Sequence, residues 1–278
     1  MIIGIDIGGT KSEAALFDEA GNTQQKIILK SAHPNCATDA EMEEILRQCL
    51  LDDCSPIIIG FAGYGKSKQM RQRIERAVQR VFQNRKFVLM NDVELAMWST
   101  LQGSDGIVLI LGTGSIALKK KGDALIRKGG WGYLLGDEGS GYAIGRKILR
   151  KFIRQVDELD EKTELFQAVM NLYDLTDPSE IIDIVMHDGQ IDRTAVAKCS
   201  VLSNLEENKY ILKRAASDAA ECVSALKEDG LPTYITGGMQ NNMQYMQYIQ
   251  HFLPDIRISE HEPVYGAYAY AKRTCCIK

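Results

Sequence analysis

The sequence Met1-Ile-Ile-Gly-Ile-Asp-Ile-Gly-Gly-Thr-Lys11 joins an apolar run to an aspartate, two glycines and a threonine, and a second apolar run from Ala14 to Phe17 follows directly. This order predicts a buried strand, a tight glycine turn and a returning strand. Because glycine has no Cβ, such a turn can present backbone N–H groups to phosphate oxygens. Asp6, near the end of the strand, is suited to hold Mg2+ through water. For this stretch alone, an ordinary hairpin with a glycine turn is the alternative.

The same pattern returns later in the chain. An apolar run from Gly106 to Leu111 precedes the turn Gly112-Thr113-Gly114-Ser115, and an apolar-to-basic strand follows from Ile116 to Lys119. Two segments of one design indicate an internal duplication of a phosphate-binding hairpin. Chance is the alternative, since only two copies exist and few of their residues are identical.

Strands and helices alternate between and after the two hairpins. Strands are predicted at Ile57 to Ile59, Phe87 to Met90, Thr233 to Thr236 and Ile256 to Ser259. Helices are predicted at about 39–51, 67–82, 93–101, 140–156, 163–173, 193–202, 208–227, 242–252 and 265–272, and a further one begins at Asp177-Pro178. This alternation favours a largely parallel sheet with helices on its faces.

Composition limits the class of protein. The chain has 278 residues, 45% of them hydrophobic and 25% charged, which is ordinary for a globular protein and long enough for two domains. A net charge of −4 gives no electrostatic footprint for nucleic acid or an anionic membrane. The apolar runs are shorter than a membrane span, and the chain starts without a signal-peptide pattern. We therefore expect a cytoplasmic protein.

Cysteine and histidine usage gives no sign of a metal or disulfide framework. The seven cysteines form no C-x-x-C pair, and the four histidines are scattered. We expect neither a structural zinc site nor a full set of disulfides.

Six short motifs follow one another along the chain. They are Asp6 to Lys11, Asn91-Asp92, Leu111 to Ser115, Gly129 to Gly132, Gly136 to Ser140 and Thr236 to Gly238. In this order they resemble the motifs of the actin-like ATPase superfamily. Within it, the chain resembles the BadF/BadG/BcrA/BcrD ATPase family, most closely its N-acetylglucosamine kinase-like members. The match runs nearly end to end, and each motif lies at the end of a predicted strand or the start of a predicted helix.

The resemblance implies an α/β, two-lobed actin-like ATPase (ribonuclease H-like) fold with ATP in the cleft between the lobes. Residues 1–104 would form the N-terminal lobe and residues 105–278 the C-terminal lobe, with the closing helix able to pack back on the first. The implied activity is ATP-dependent phosphorylation of an amino sugar, such as N-acetylglucosamine, glucosamine or N-acetylmuramic acid. ATP and Mg2+ are the implied cofactors, and a homodimer is a candidate assembly.

The resemblance also implies roles for single residues. Asp6 would hold Mg2+, and Asp92 would be the general base that takes the proton of the sugar hydroxyl. The implied ATP contacts are Gly8, Gly9, Thr10, Lys11, Gly112, Thr113, Gly114, Ser115, Gly237, Gly238 and Met239. The implied sugar contacts are Asn35, Asp92, Gly129, Gly130, Trp131 and Asp137. Without the motif series, Asp92 could cap the following helix, and Asp137 the helix that begins at Ser140.

A rival pattern lies in the middle of the first half. Gly60-Phe-Ala-Gly-Tyr-Gly65-Lys66-Ser67 fits the G-x-x-x-x-G-K-[ST] pattern of a P-loop, and Phe87 to Asp92 offers a strand that ends in aspartate. A P-loop would leave the glycine turns near residues 8, 112, 130 and 237 without a role. The actin-like hypothesis uses all of them and is favoured.

Two other functions share the actin-like fold. An ATPase that activates a dehydratase or reductase would hold an iron–sulfur cluster through cysteines, but no cysteine lies between Cys54 and Cys199. A nucleotide- or sugar-binding protein without turnover would not need Asp92. The chain also looks shorter than many kinases of the family between Val156 and Leu205, which leaves the substrate open.

Overall fold

The computed structural model describes residues 1–65, 67–187 and 189–274. The chain divides into two compact units, one formed by residues up to Ser104 with the C-terminal segment from Ser259, and one formed by Asp105–Ile258. Lys66 of the P-loop-like sequence and the cysteines at 275 and 276 lie outside the described residues. In the described part of the chain, no helix is both long and apolar enough to cross a bilayer.

The first unit is built on a five-stranded sheet in the order β3-β2-β1-β4-β5. Its strands are β1 (Ile2–Ile7), β2 (Lys11–Phe17), β3 (Thr23–Lys30), β4 (Ile57–Phe61) and β5 (Phe87–Asn91), and its first helices are α1 (Asp39–Gln48), α2 (Lys68–Phe82) and α3 (Asp92–Leu101). β1, β2 and β3 form an antiparallel meander, whereas β4 runs parallel to β1 and to β5. The carboxyl ends of β1, β4 and β5 therefore lie at one edge of the sheet.

The second unit repeats this sheet order with new strands, β12-β11-β6-β7-β8. Its strands are β6 (Gly106–Leu111), β7 (Ser115–Lys121), β8 (Ala124–Gly129), β11 (Thr233–Thr236) and β12 (Arg257–Ile258), with a separate pair β9 (Met186–His187) and β10 (Gln190–Ile191). Again three antiparallel strands are followed by two parallel ones. The predicted repeat of strand, glycine turn and returning strand is confirmed, and the repeat extends to the whole sheet.

Most helices of the second unit lie between β8 and β11, and the last of them lies between β11 and β12. They are α4 (Gly141–Val156), α5 (Glu164–Tyr173), α6 (Ile181–Val185), α7 (Arg193–Lys198), α8 (Lys209–Ser224) and α9 (Met243–Phe252). The last helix of the chain is α10 (Gly266–Thr274). Short 3-10 helices cover Pro178–Glu180, Cys199–Asn204, Glu206–Asn208, Gly238–Asn241 and Pro263–Tyr265. The helix predicted at 193–202 is therefore shorter than expected and continues as a 3-10 helix.

β1 is buried on both faces. Ile3, Ile5 and Ile7 pack into an apolar cluster with α1 and α2, while Ile2 belongs to a second cluster with α3 and α10. Successive side chains of a strand point to opposite faces, so one apolar run supports both layers. A Cβ on Gly4 would lie 2.8 Å from Ala267 Cβ, so glycine at this position allows α10 to approach the strand.

One edge strand of each five-stranded sheet was not predicted, and neither was the pair β9 and β10. β3 is exposed along most of its length, and all of β8 except its last residue is exposed. Neither strand carries the buried apolar alternation by which a strand is recognised in sequence. Each extends a hairpin that had been predicted correctly.

Candidate active site

The first glycine turn joins β1 to β2. The Gly8 N–H donates to the Lys11 carbonyl over 2.9 Å, and the Ser31 hydroxyl donates to the Gly8 carbonyl over 2.7 Å. Gly9 and Thr10 are exposed. One hydrogen bond therefore closes the turn and a second one attaches it to Ser31, while the two residues at its tip are exposed to solvent.

A buried carboxylate orients the lysine of this turn. Glu13 is 3% exposed and pairs with Lys11 over 2.6 Å and with Lys26 over 2.9 Å. Burial acts to raise the pKa of Glu13, but hydrogen bonds and charges from both lysines outweigh it and hold the pKa below its usual value. Sequence reasoning missed this role, although Lys11 and Glu13 are two positions apart in β2 and so share a face of the strand.

Two further acidic side chains interact at the ends of the parallel strands. Asp6 lies near the end of β1, where it pairs with Glu13 of β2 and Gly60 of β4. Asp92 follows β5 directly and begins α3. Burial first, and then the charges of Asp92 and Glu13, raise the pKa of Asp6 to about 8, against a lowering effect of the Lys11 ammonium. A site where carboxylates repel in this way is suited to a bound cation.

Asp92 is not the cap of α3. The cap is Asn91, whose side-chain oxygen accepts the Val93 N–H over 3.0 Å and whose amide donates to the Tyr64 carbonyl over 2.7 Å. The alternative in which Asp92 serves as the helix cap is therefore wrong. Its carboxylate lies in the first turn of α3, where the helix dipole favours a negative charge.

The P-loop-like sequence has structural roles at both of its ends. Gly60 lies inside β4, and a Cβ there would come within 2.6 Å of Leu95 Cβ, so this glycine lets α3 pack on the strand. Ser67 caps α2 by accepting the Met70 N–H over 3.1 Å. In a P-loop the first glycine would open the loop instead of packing within a strand.

Asn35 lies in the loop between β3 and α1, which adjoins the first glycine turn. Its N–H donates to His33 Nδ1 over 3.1 Å, and its side chain is exposed. The neighbouring Cys36 thiol donates to the Gly9 carbonyl over 3.9 Å. The fold thus places the loop of Asn35, a predicted sugar contact, beside Gly9, a predicted ATP contact.

The second glycine turn joins β6 to β7 and is attached to the start of α4. The Gly112 N–H donates to the Gly114 carbonyl over 2.9 Å, and the Gly112 carbonyl accepts the Gly141 N–H over 2.8 Å. The Ser115 hydroxyl donates to the Glu138 carbonyl over 2.6 Å. These contacts bring the turn and the glycine-rich loop after β8 together.

That loop places Asp137 inside the protein and Trp131 on its surface. Asp137 is 4% exposed, has a φ of +60° and accepts a hydrogen bond from Arg193 Nη2 over 3.4 Å. Trp131 is 68% exposed, with the Arg127 guanidinium 4.4 Å above its ring. The helix cap is Ser140, which accepts the Ala143 N–H over 3.1 Å, so the capping role considered for Asp137 is wrong.

The other predicted residues of the second unit lie at strand ends. Gly129 ends β8, and a Cβ on Gly130 would come within 2.7 Å of Ile116 of β7. Gly237 follows β11 with a φ of +104°, and a Cβ there would lie 2.4 Å from the Leu111 carbonyl oxygen. Only glycine tolerates both that conformation and that approach to the end of β6. Met239 is buried beyond it.

Three of the predicted glycines have no structural reason to be glycine among the described residues. A Cβ on Gly9, Gly112 or Gly238 would meet no atom within 4 Å, and none of the three has a positive φ. Gly9 and Gly112 lie in the turns that follow β1 and β6, and Gly238 begins the 3-10 helix that follows β11. A nucleotide phosphate or sugar that approaches the main chain would need that space, so these residues fit ATP.

Mg2+ also fits the residues of the first unit. Asp6 supplies carboxylate oxygens, which are the donors that this ion prefers. Among the described residues, no group of three His, Cys, Asp or Glu side chains is arranged to hold a metal. Mg2+ commonly keeps water ligands and binds through one or two carboxylates together with phosphate oxygens.

A repeated sheet with a glycine turn after the first strand of each copy, and paired acidic groups at the strand ends, defines a phosphate-handling protein of the actin-like class. The family model of the BadF/BadG/BcrA/BcrD ATPase family matches residues 3–271, and the chain belongs to this family.

Curated relatives of the chain are sugar kinases. It is 27% identical to the N-acetylmuramic acid/N-acetylglucosamine kinase of Clostridium acetobutylicum, with 99% of each chain covered. It is 28% identical to the N-acetyl-D-glucosamine kinase of Dictyostelium discoideum, covering 86% of this chain and 85% of that one.

A solved structure extends the likeness to the fold. The crystal structure of a candidate N-acetylglucosamine kinase from Chromobacterium violaceum matches with a TM-score of 0.78 and 21% identity, covering 96% of each chain. The expected α/β actin-like ATPase fold is confirmed. Because the chain has the family and the fold of the actin-like ATPases, and Gly60 lies inside β4, the P-loop hypothesis is wrong.

Proposed function

We propose that this protein transfers the terminal phosphoryl group of ATP to a hydroxyl of an amino sugar, with N-acetylglucosamine and N-acetylmuramic acid as the first candidates. The observation that carries the proposal is the pair of interacting carboxylates at Asp6 and Asp92, of which Asp92 is not used as a helix cap. Curated relatives that span the chain and phosphorylate these sugars support the choice of acceptor.

Asp6 and Asp92 take different roles in this proposal. Asp6 holds Mg2+, which when bound neutralises charge on the phosphate oxygens. Asp92 accepts the proton of the attacking hydroxyl. A positioned base of this kind contributes about 10²–10⁴-fold to a rate.

ATP is assigned to three glycine segments and their neighbours. They comprise Gly8, Gly9, Thr10 and Lys11, then Gly112, Thr113, Gly114 and Ser115, then Gly237, Gly238 and Met239. The open space at Gly9, Gly112 and Gly238 supports this assignment. Backbone N–H groups in such turns act as preorganised donors to phosphate, so positioning and electrostatics supply most of the catalysis.

The sugar is assigned to Asn35, Asp92, Gly129, Gly130, Trp131 and Asp137. The buried carboxylate of Asp137 can accept hydrogen bonds from ring hydroxyls, and an exposed indole can pack on the apolar face of a sugar ring. An analogue that lacks the matching hydroxyl would leave a buried carboxylate without that hydrogen bond, so the site should discriminate strongly against it.

The test is Mg2+-dependent ADP release across amino sugars, neutral sugars and a reaction without acceptor. Release should require one class of sugar, and Asp92→Asn should lower kcat by about 10²–10⁴-fold with little change in the affinity for ATP. Asp39→Asn is the matched control, because Asp39 begins α1 as Asp92 begins α3. It should keep the wild-type rate.

Equal ADP release with and without every sugar, unchanged in Asp92→Asn, would contradict a kinase. That outcome would point to an ATPase or a binding protein. An iron–sulfur activator is disfavoured already, because the chain has no cysteine between Cys54 and Cys199.

A further inference from the structure

Arg193 lies where three segments of the second unit meet. It begins α7, and its Nη2 is 3.4 Å from Asp137 Oδ2. A Cβ on Gly114 would lie 3.1 Å from Asp137 Oδ2 and 3.5 Å from Arg193 Nη2. The guanidinium also lies over the ring of Tyr133, with 5.3 Å to the ring centre. The turn after β6, the glycine-rich loop and α7 are thus joined at one point.

Asp137 is an unusual residue to place there. Its side chain is 6% exposed, and its φ of +60° belongs to the left-handed region that residues other than glycine seldom adopt. A buried carboxylate needs a compensating positive charge or donors. A strained backbone persists only where the surroundings hold it, and such residues cluster at ligand sites. Arg193 supplies the positive charge.

The contact between the two side chains is incomplete. The 3.4 Å separation is longer than an ordinary charge-assisted hydrogen bond. The Nε of Arg193 is buried and has no hydrogen-bond acceptor among the residues that the structure describes. Nε and one Nη of arginine form a planar fork that matches the two oxygens of a carboxylate. In Arg193, Nη2 makes only the long contact with Asp137, and Nε donates to no acceptor among the described residues.

We propose that Arg193 is the positioning residue of the sugar site, and that its Nε and Nη2 close as a two-bond fork on Asp137 when the sugar binds. The fork orients the carboxylate toward the sugar hydroxyls and compensates its charge, and the Tyr133 ring supports the guanidinium from the side. Polar contacts of active sites are often long before the ligand binds and shorten in the complex. This inference rests on the proposed function, since that assigns Asp137 to the sugar.

No sequence signal marks the pair, because Asp137 and Arg193 are separated by 56 positions. Arg193 also lies near Gly114, which the proposed function assigns to ATP. A role toward ATP would raise the KM for ATP, whereas the positioning role raises the KM for the sugar. The two roles are therefore separable by kinetics.

The experiment compares Arg193→Gln, Arg193→Lys and Arg193→Ala with wild type. We measure KM for sugar and for ATP, and sugar affinity by calorimetry without nucleotide. Arg193→Gln should weaken sugar affinity and raise the sugar KM by about tenfold or more, the size of one lost charged hydrogen bond. The KM for ATP should change by less than about twofold. Arg193→Lys should recover part of the loss, and free guanidinium should partly restore Arg193→Ala.

A control variant and a double variant complete the experiment, and the double variant tests whether Asp137 and Arg193 act together. Arg154→Gln removes an arginine that pairs with Asp160 through two bonds of 2.8 Å on the same unit, and it should leave both KM values unchanged. Asp137→Asn combined with Arg193→Gln should bind sugar no more weakly than Asp137→Asn alone, because the pair acts as one unit.

Unchanged sugar affinity in Arg193→Gln overturns the inference. So does an equal rise in the KM for ATP, or a fully additive loss in the double variant. If wild type phosphorylates an amino sugar and Arg193→Gln does so equally well, the inference alone fails. If wild type neither binds nor phosphorylates any amino sugar, the proposed function fails and this inference fails with it.

Discussion

The carboxylate of Asp92 lies close enough to that of Asp6 to be, after burial, the next cause of the rise in the pKa of Asp6 to about 8. Asp6 lies near the carboxyl end of β1, and Asp92 follows β5 as the first residue of α3. Strand β4 lies between β1 and β5 in the sheet. Neighbouring carboxylates disfavour each other's ionised form, so a cation that binds one of them stabilises both.

Asp6→Asn should abolish most Mg2+-dependent turnover while the protein stays folded. We expect kcat to fall by about 10²–10³-fold, as for the loss of one group that stabilises transition-state charge. The thermal midpoint should not fall, because asparagine has the same shape and is neutral, as the buried Asp6 side chain mainly is below its raised pKa of about 8. ADP release against Mg2+ concentration measures the first effect and thermal unfolding the second. A variant with the Mg2+ dependence of wild type would remove Asp6 from the metal site.

Gly112→Ala should weaken ATP binding without loss of stability, and Gly145→Ala should lower stability without loss of ATP binding. A Cβ on Gly112 meets no atom within 4 Å, whereas a Cβ on Gly145 would lie 2.0 Å from the Val196 carbonyl oxygen. Gly112→Ala should leave stability within about 0.5 kcal/mol of wild type and raise the KM for ATP by about tenfold or more. Gly145→Ala should lower the free energy of unfolding by about 1–3 kcal/mol, as overpacking does.

Urea unfolding and steady-state kinetics on the two glycine variants check this contrast. Gly145→Ala should keep the wild-type KM for ATP at temperatures where it is folded. A Gly112→Ala protein with unchanged ATP affinity would show that the open space at this turn does not accommodate the nucleotide.

Glu41→Ala should destabilise the protein at neutral pH and not in strong acid. The Thr38 backbone N–H first, and then Lys30 and the Thr38 hydroxyl, lower the pKa of Glu41 to about 2. A carboxylate whose pKa is lower in the folded than in the unfolded state contributes stability above its unfolded pKa, here 4.5, and loses it as the pH falls through about 2. Urea unfolding of wild type and variant should therefore differ at pH 7 and converge between about pH 4.5 and 2.

Glu44→Ala is the control for that measurement, because Glu44 lies on the same helix outside the capping box. It should show a smaller difference across the same pH range. A Glu41→Ala difference that stays constant from pH 7 to pH 2 would mean that lost packing or helix propensity, and not the ionised cap, is responsible.

Local features of the fold could be predicted from the sequence because they depend on neighbours in the chain. The capping box of Thr38 and Glu41, the cap at Ser140 and both glycine hairpins are found where the patterns indicated. The order of the motifs was enough to identify the family. Exposed edges such as β3 were missed, since a strand with little buried surface has little apolar pattern.

The amino-acid order thus specified the strand–turn–strand units, their repetition and the acidic and glycine residues at their ends, because hydrophobic period, capping and backbone freedom act over a few residues. Contacts between distant segments required the folded chain. The pairing of Arg193 with buried Asp137, the approach of α10 to β1 at Gly4 and the hydrogen bond from Asn91 to the Tyr64 carbonyl follow from packing. Such contacts depend on how whole elements fit together, and side-chain patterns along the chain do not encode that fit in any short stretch.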